Sequence, residues 1–267
     1  MVTLSRGARV MFVGAHPDDE TFAGPLLARA SDFGPVLIVC FTRGEGGKDV
    51  FSGLERAELG VERMKEMDRA AYVLQADVVF LGFENGFEND ITNPRSGAET
   101  PSHAIKRWRS SGRDPVGEVV KVIRSYRPDV IITFDPEQGF TGHREHRAVS
   151  MVVTEAFRRS DDVYSFPEQF RQGLKVWPTP ALYYTINQYP DEIKKGLKAI
   201  DPEKLTELVP GKELSRRRKS TYLSIALDAW SKHTTQYGPN ALETPMANKI
   251  SKMIEETALV IRGRNYP

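Results

Sequence analysis

Short apolar runs alternate with longer amphipathic stretches in the chain up to about residue 166. This pattern is typical of βα units, in which helices connect the strands of a parallel sheet. The apolar runs predict strands at 8–14, 36–42, 77–82 and 129–134. We therefore expect an α/β protein built around a parallel sheet.

Helical spacing of apolar residues predicts helices at 19–34, 53–75, 115–127 and 143–158. Residues 84–114 show little periodicity, and we predict a long loop over the carboxyl ends of the strands. The later chain predicts a strand at 176–186 and helices at 212–233 and 248–257. We expect one domain over residues 1–267, with an irregular C-terminal part from about residue 166.

Two clusters of histidine and acidic residues directly follow predicted strands. Residues 15–20 read Ala-His-Pro-Asp-Asp-Glu, and residues 142–146 read Gly-His-Arg-Glu-His. Carboxylates at the end of a buried strand are unfavourable unless they are paired, hydrogen-bonded or bound to a metal. Imidazole and carboxylate together suit Zn²⁺, and ligands of parallel sheets bind at the carboxyl ends of the strands. The two clusters predict a metal-dependent hydrolase.

Composition narrows the class of protein. The net charge of +1 gives no overall attraction to nucleic acid or to an anionic membrane, and the apolar runs are too short to span a bilayer. The single cysteine, Cys40, excludes an internal disulfide and a thiolate-rich metal site. We interpret the first apolar run as a strand and not as a signal peptide, and we expect a cytoplasmic protein.

The motifs resemble those of the LmbE-like family of zinc de-N-acetylases, which includes the N-acetylglucosaminyl-phosphatidylinositol deacetylases and the deacetylases of mycothiol and bacillithiol synthesis. The first motif matches completely, and the second has Glu145 where the family has Asp. Weaker matches lie at 42–45, 63–66, 81–83 and 233–236. The resemblance implies a Rossmann-like three-layer fold with a mostly parallel sheet and an active site at the carboxyl ends of its strands.

The resemblance also implies a role for each motif residue. His16, Asp19 and His146 would bind one Zn²⁺ per chain, with Fe²⁺ as an alternative. Asp18 would be the general base, and His143 would stabilise the oxyanion or protonate the leaving amine. We expect His143 to act as an imidazolium, because the neighbouring Glu145 favours its charged form.

Six further residues are candidates for supporting roles. Those for substrate binding are Arg63, Glu45 and Asn85. Those for orienting the metal ligands or their neighbours are Glu20, Asp135 and Glu145, with Glu145 expected to pair with His143. For Glu20 a charge at the helix start and a metal ligand remain as alternatives, and for Asp135 a structural cap.

The expected function is removal of an N-acetyl or similar N-acyl group from an amino sugar or glycoconjugate, which would be the small-molecule partner. An amidase acting on a non-sugar or thiol-conjugate amide remains an alternative, as does a non-catalytic binding protein on this fold. A homo-oligomer is left open. The basic run 216–219 is interpreted as a solvated helix face, and 106–109 as a lid or surface loop more readily than a nucleic-acid patch.

Overall fold

A seven-stranded sheet forms the centre of the computed structural model, which describes residues 4–49, 51–86, 100–201, 203, 205 and 207–262. The strands follow the order β3-β2-β1-β4-β5-β7-β6. Their bounds are β1 Val10–Gly14, β2 Val36–Cys40, β3 Asp77–Phe80, β4 Val130–Phe134, β5 Ala181–Ile186, β6 Glu207–Pro210 and β7 Glu256–Arg262.

The helices lie between and around these strands. In the described part of the chain their bounds are α1 Gly24–Ala30, α2 Arg56–Leu74, α3 Pro101–Ser110, α4 Pro115–Tyr126, α5 Gly139–Gly142, α6 Arg144–Arg159, α7 Pro167–Arg171, α8 Pro190–Lys194, α9 Tyr222–Trp230, α10 Thr234–Tyr237 and α11 Pro245–Ile254. Short 3₁₀ helices at Asp19–Ala23 and Ala241–Glu243 complete the set.

The first five strands in chain order run parallel, with β1 between β2 and β4. Val10 of β1 is opposite Val36 on one side and Val130 on the other. β7 pairs antiparallel with both β5 and β6. The predicted α/β fold with a mostly parallel sheet is confirmed, and the residues that follow β1 and β4 meet at one edge of it.

Along β1, β2 and β4 both faces of the sheet are buried beneath helices, and successive side chains of each strand point to opposite faces. Phe12 and Ile132 pack on the face covered by α1, α2 and α9. Met11 and Ile131 pack on the face covered by α3, α4 and α6. This arrangement explains the continuous apolar runs of β1, β2 and β4, and it gives the three layers that were expected.

The predicted loop at 84–114 is wrong in part, because it contains helix α3; its residues 87–99 lie outside the described chain. Thr100 and His103 form a capping box at the start of α3. Trp108 is 1% exposed and packs against Phe41 and Phe83. The basic run 106–109 is therefore not a loop: it lies in α3, which Trp108 holds to the core, while Lys106 and Arg109 are exposed.

The C-terminal part contains more regular structure than the sequence indicated. The helix predicted at 212–233 begins only at Tyr222, and the preceding residues form turns with a bridge between Leu214 and Thr221. Arg218 is not on a solvated helix face: it donates to Ser31 Oγ and pairs with the buried Asp32. Strands β6 and β7 were not predicted. In the described part of the chain, no helix combines the length and apolar character needed to cross a membrane.

Candidate active site

The two sequence clusters meet where β1 and β4 end. After β1 the chain turns through His16 and Asp18 into the 3₁₀ helix that begins at Asp19. The turn is tight, because a Cβ on Gly14 would lie 2.8 Å from the Cβ of Asp19. After β4 the chain passes through α5, and His143 caps the N-terminus of α6. The turn and the helix start place both clusters at the carboxyl edge of the sheet.

Three atoms of the predicted metal ligands face one another. Oδ1 of Asp19 lies 3.0 Å from Nε2 of His146 and 3.7 Å from Nδ1 of His16. All three residues are buried. The structure thus brings together two imidazole nitrogens and one carboxylate oxygen. The ring of His143 lies beside them, and the nearest ligand atoms of the three histidines fall within 4.8 Å of one another.

The remaining atoms of these side chains are held by hydrogen bonds. Oδ2 of Asp19 accepts from the backbone N–H of Ala15 at 2.6 Å and of His16 at 3.0 Å. Nε2 of His16 bonds to Glu145 at 2.6 Å, and Nδ1 of His146 bonds to the carbonyl of Gly139 at 3.0 Å. Bonds of this kind orient metal-binding histidines in known sites. These hydrogen bonds leave one atom of each side chain to face the other two: Nδ1 of His16, Oδ1 of Asp19 and Nε2 of His146.

The charges of the cluster fit a divalent cation. Burial lowers the pKa of His16, but Asp19 and Glu145 outweigh it and raise that pKa to about 10. Burial raises the pKa of Asp19, yet His146 and His16 bring it well below its usual range. Carboxylates that retain an imidazolium in a buried site form a strongly negative environment. With two imidazoles and a carboxylate as donors, that environment suits Zn²⁺.

Asp18 projects into the same cavity and not into the ligand cluster. Its Oδ1 lies 3.3 Å from Nη2 of Arg63, and its Oδ2 accepts a hydrogen bond from Tyr237 at 3.2 Å. Its backbone φ of 109° is in the left-handed region that side chains rarely adopt. Burial raises the pKa of Asp18 and Arg63 opposes that rise. A strained carboxylate held between two donors has the features of a reactive group.

His143 lies on the cavity wall as a neutral ring. Its Nδ1 accepts from the backbone N–H of Glu145 at 3.3 Å, so a neutral ring carries its proton at Nε2. Burial, followed by the imidazoles of His146 and His16, lowers the pKa of His143 well below its usual range, and Glu145 does not outweigh them. This direction runs against the expected imidazolium, because burial and the two neighbouring imidazoles outweigh the carboxylate of Glu145.

Glu145 contacts a different histidine from the expected one. Its Oε2 bonds to Nε2 of His16 at 2.6 Å and accepts from the amide of Asn85 at 2.6 Å. Its Oε1 accepts from the backbone N–H of Gly86 at 2.9 Å and pairs with Arg107. Burial raises the pKa of Glu145, but the bonds from His16 and from the Gly86 N–H outweigh it and hold that pKa at about 2. Glu145, which belongs to the second sequence cluster, therefore holds His16 of the first cluster in place.

Glu20 connects the site to the C-terminal part of the chain. Its Oε1 lies 2.7 Å from Nε2 of His233, and its Oε2 accepts from the backbone N–H of Asp18 at 3.1 Å. Glu66 of α2 makes a similar connection, accepting from the hydroxyls of Thr234 and Thr235. In the described contacts Glu20 thus holds the backbone of Asp18 and not a predicted metal ligand, and α10 is held against the site.

Two predicted residues serve the backbone instead. Asp135 accepts from the N–H groups of Glu137 and Gln138 at 2.9 and 2.7 Å, which is a turn cap. Asp135 was expected to bond to a metal-binding histidine, but Nδ1 of His146 bonds to the carbonyl of Gly139 instead. Glu45 accepts from the N–H of Arg43 at 3.0 Å and of Asn85 at 3.3 Å. Glu45 therefore shapes the loop after β2 and is not part of the cavity wall.

The ligand cluster, Arg63 and Asn85 all line one cavity of about 410 Å³. Arg63 also donates to the carbonyls of Gly44 and Pro17, so its place is fixed before any substrate arrives. The amide oxygen of Asn85 accepts from the N–H of Gly46 at 2.9 Å. Among the described residues, the wall is formed by His16, Asp18, Asp19, Phe22, Gly46, Gly47, Lys48, Arg63, Asn85, Gly86, His143, His146, Gln236 and Tyr237.

Sequence reasoning missed two residues of this site. Tyr237 directly follows the weak motif at 233–236, and that proximity was its only signal. Arg107 was recognised only as part of a basic run. Both reach the site through tertiary contacts between elements that are far apart in the chain, which no local pattern records.

Comparison with known proteins bears on this site directly. The sequence profile of the PIG-L family, described as GlcNAc-PI de-N-acetylase, matches residues 11–157. A 1D-myo-inositol 2-acetamido-2-deoxy-alpha-D-glucopyranoside deacetylase of Rhodococcus erythropolis (strain PR4 / NBRC 100887) is 32% identical over 92% of this chain and 87% of its own. The matched segment contains both motifs, and the relative is a de-N-acetylase of an amino sugar glycoconjugate.

Solved structures share the fold. The N,N'-diacetylchitobiose deacetylase of Pyrococcus horikoshii has a TM-score of 0.68 at 17% identity, over 96% of this chain and 84% of that one. The 4-carboxy-2-hydroxymuconate hydratase of Pseudomonas putida KT2440 has a TM-score of 0.57 at 14% identity, over 97% of each chain. The fold therefore hosts more than one reaction, and the motifs carry the assignment. By its motifs, its profile match and its sequence relatives, this chain belongs to the PIG-L or LmbE-like family of de-N-acetylases.

Proposed function

We propose that this protein is a metal-dependent de-N-acetylase that removes the acetyl group from an N-acetylglucosamine unit linked to a polyol such as inositol. One observation carries the proposal: the ligand cluster and Asp18 open into the same cavity. Membership of the family supports the reaction, and the deacetylase relatives support the class of substrate. The cavity of about 410 Å³ has the size of a small-molecule site.

His16, Asp19 and His146 are the residues that would hold the metal, as the convergence of their free atoms supports. A divalent cation bound there would activate a water and polarise the amide carbonyl. Zn²⁺ suits this donor set best, at one ion per chain.

Asp18 accepts the proton of the attacking water. Arg63 keeps a positive charge beside one of its oxygens, which favours the carboxylate that a base requires. The hydrogen bond from Tyr237 aims the other oxygen. After attack on the carbonyl carbon, the proton on Asp18 passes to the departing amine nitrogen, and the C–N bond breaks to leave the free amine and acetic acid, which releases its proton to solvent as acetate.

His143 stabilises the negative charge that develops on the carbonyl oxygen. The neutral ring presents its Nε2–H toward the cavity while its Nδ1 is held by the start of α6. A donor that is already fixed costs no reorganisation when the charge appears, which is why such groups lower reaction barriers. In this assignment His143 donates a hydrogen bond and keeps its proton.

The test is a panel of amides incubated with zinc-loaded protein, with the released amine labelled and quantified. The panel contains N-acetylglucosaminyl-inositol, N,N'-diacetylchitobiose, N-acetylglucosamine and a thiol-conjugate amide. We expect the inositol glycoside to release amine fastest, and Asp18→Asn to remove that release. Cleavage of the thiol conjugate alone would replace the proposed substrate by the amidase alternative. Release from no amide in the presence of bound metal would overturn the proposal.

A further inference from the structure

Glu145 connects four separate segments of the chain. It lies in the first turn of α6, it is fully buried, and it contacts His16 after β1 and both Asn85 and Gly86 after β3. Its remaining partner, Arg107, comes from α3. A buried carboxylate is stable only when its charge and lone pairs are satisfied. Glu145 is therefore held by what these segments present to it.

Among the described contacts, Arg107 is the one residue of α3 that pairs with Glu145. Its position is fixed by the packing of α3. The adjacent Trp108 is buried and donates to the carbonyl of Glu84 at 3.0 Å. Arg107 donates to the same carbonyl at 3.3 Å while its guanidinium pairs with Glu145. The guanidinium is planar and holds a carboxylate in a defined orientation. The placement of α3 thus sets the direction of the carboxylate.

The direction of the carboxylate sets the ring of His16. Because Nε2 of His16 is bonded to Glu145, Nδ1 is the atom directed toward Oδ1 of Asp19. A ring rotation that broke the first contact would also turn the second nitrogen away from the cluster. The carboxylate reaches across to His16 although it belongs to the helix that carries His143 and His146.

We propose that Arg107 is a positioning residue for the metal site: by orienting Glu145, it holds His16 in the geometry that binds the cation. This inference rests on the proposed function, since it takes the cluster of His16, Asp19 and His146 to be a metal site. Arg107 is not among the residues that line the cavity, and its contact toward the cluster runs through Glu145. The result is a metal affinity that depends on the docking of α3.

The experiment measures Co²⁺ binding to metal-depleted protein by visible absorption, below the onset of thermal unfolding. We expect Arg107→Gln to raise the dissociation constant roughly 10–100-fold, the range seen when partners of metal-binding histidines are removed. Arg107→Lys should recover part of the affinity, because it restores the charge without the planar geometry. The matched control is Arg109→Ala on the same helix, whose exposed side chain pairs with Asp114, and it should leave the affinity unchanged.

A double-mutant cycle separates positioning from a general effect on packing. If Arg107 acts through Glu145, then Arg107→Gln should add nothing to the loss caused by Glu145→Gln. Additive losses would overturn the inference, as would an Arg107→Gln dissociation constant within twofold of the original. Failure of the unmodified protein to bind Co²⁺ at all would instead overturn the proposed metal site. The two failures are therefore distinguishable.

Discussion

Replacing Asp18 by Asn is the sharpest test of the division between the base and the metal ligands. The substitution keeps the shape of the side chain and removes its ability to accept a proton. Asn also tolerates the left-handed backbone, in which Asp18 has a φ of 109°. Alanine at this position would add roughly 1–2 kcal/mol of backbone strain and confuse the outcome.

The expected magnitudes follow from the contacts of Asp18. Arg63 retains the carbonyls of Pro17 and Gly44 as acceptors at 2.5 and 3.2 Å, and an amide oxygen can still accept from it. The loss of unfolding free energy should therefore stay within about 1–3 kcal/mol. Loss of the base should reduce turnover roughly 10²–10⁴-fold, which corresponds to about 3–5 kcal/mol in the barrier. Metal content should not change, because Asp18 lies outside the ligand cluster.

Three measurements check this expectation: amine release at saturating substrate, zinc content by mass spectrometry, and urea unfolding. Asp19→Asn is the matched comparison, because it alters the neighbouring carboxylate and should reduce zinc content together with turnover. Asp68→Asn changes an exposed aspartate of α2 and should alter neither. Turnover of Asp18→Asn within threefold of the unmodified enzyme, with zinc still bound, would refute the role of Asp18 as the base.

Three further outcomes are expected. Trp108→Ala should lower the free energy of unfolding by about 3–5 kcal/mol, because it empties a buried site. Arg109→Ala should change that free energy by less than about 0.5 kcal/mol. Equal effects of the two variants in urea unfolding would show that α3 is not anchored by its tryptophan. Burial raises the pKa of Asp32, but hydrogen bonds from Ser215, the Arg216 N–H and Tyr222 lower that pKa overall. The Asp32 carboxylate therefore stabilises the fold at pH values above its unfolded pKa of roughly 3.9, and this stabilisation is lost as the pH falls through the folded pKa. Asp32→Asn should therefore cost about 1–3 kcal/mol at neutral pH with a gap that narrows in acid, and urea titrations showing a constant gap would contradict this. Chelation should abolish deacetylation and lower the melting temperature. Zn²⁺ at 100 times its dissociation constant should restore about 2.7 kcal/mol of unfolding free energy. Calorimetry that detects no shift in melting temperature on chelation would speak against a structural contribution of the metal.

Each of the five parallel strands was predicted from the sequence, and neither of the strands β6 and β7 was. β1, β2 and β4 are buried on both faces, so each appears as a continuous apolar run. β6 and β7 pair antiparallel at the edge and mix charged with apolar residues in Glu-Leu-Val-Pro and Glu-Thr-Ala-Leu-Val-Ile-Arg. Such short mixed runs give no clear period, and their strand character depends on the pairing of β7 with β5 and of β6 with β7.

The site divides in the same way. The convergence of His16, Asp19 and His146 was predictable, because their motifs directly follow strands that end at one edge of the sheet. The partner of Glu145 was not, since the side chain is one methylene longer than the Asp of the family and reaches His16 in place of His143. Arg107 could be found only from the docking of α3, which is a tertiary property.

The bond between Glu20 and His233 joins residues 213 positions apart, and this separation sets an order for assembly during synthesis. Chains fold from the N-terminus as they emerge from the ribosome, and β1 with its acidic turn emerges first. Until His233 and α10 follow, Glu20 lacks its imidazole and Asp18 lacks the hydroxyl of Tyr237. A nascent chain stopped before His233 contains the five parallel strands but not a completed site. Catalytic competence is thus deferred until most of this sequence has been translated.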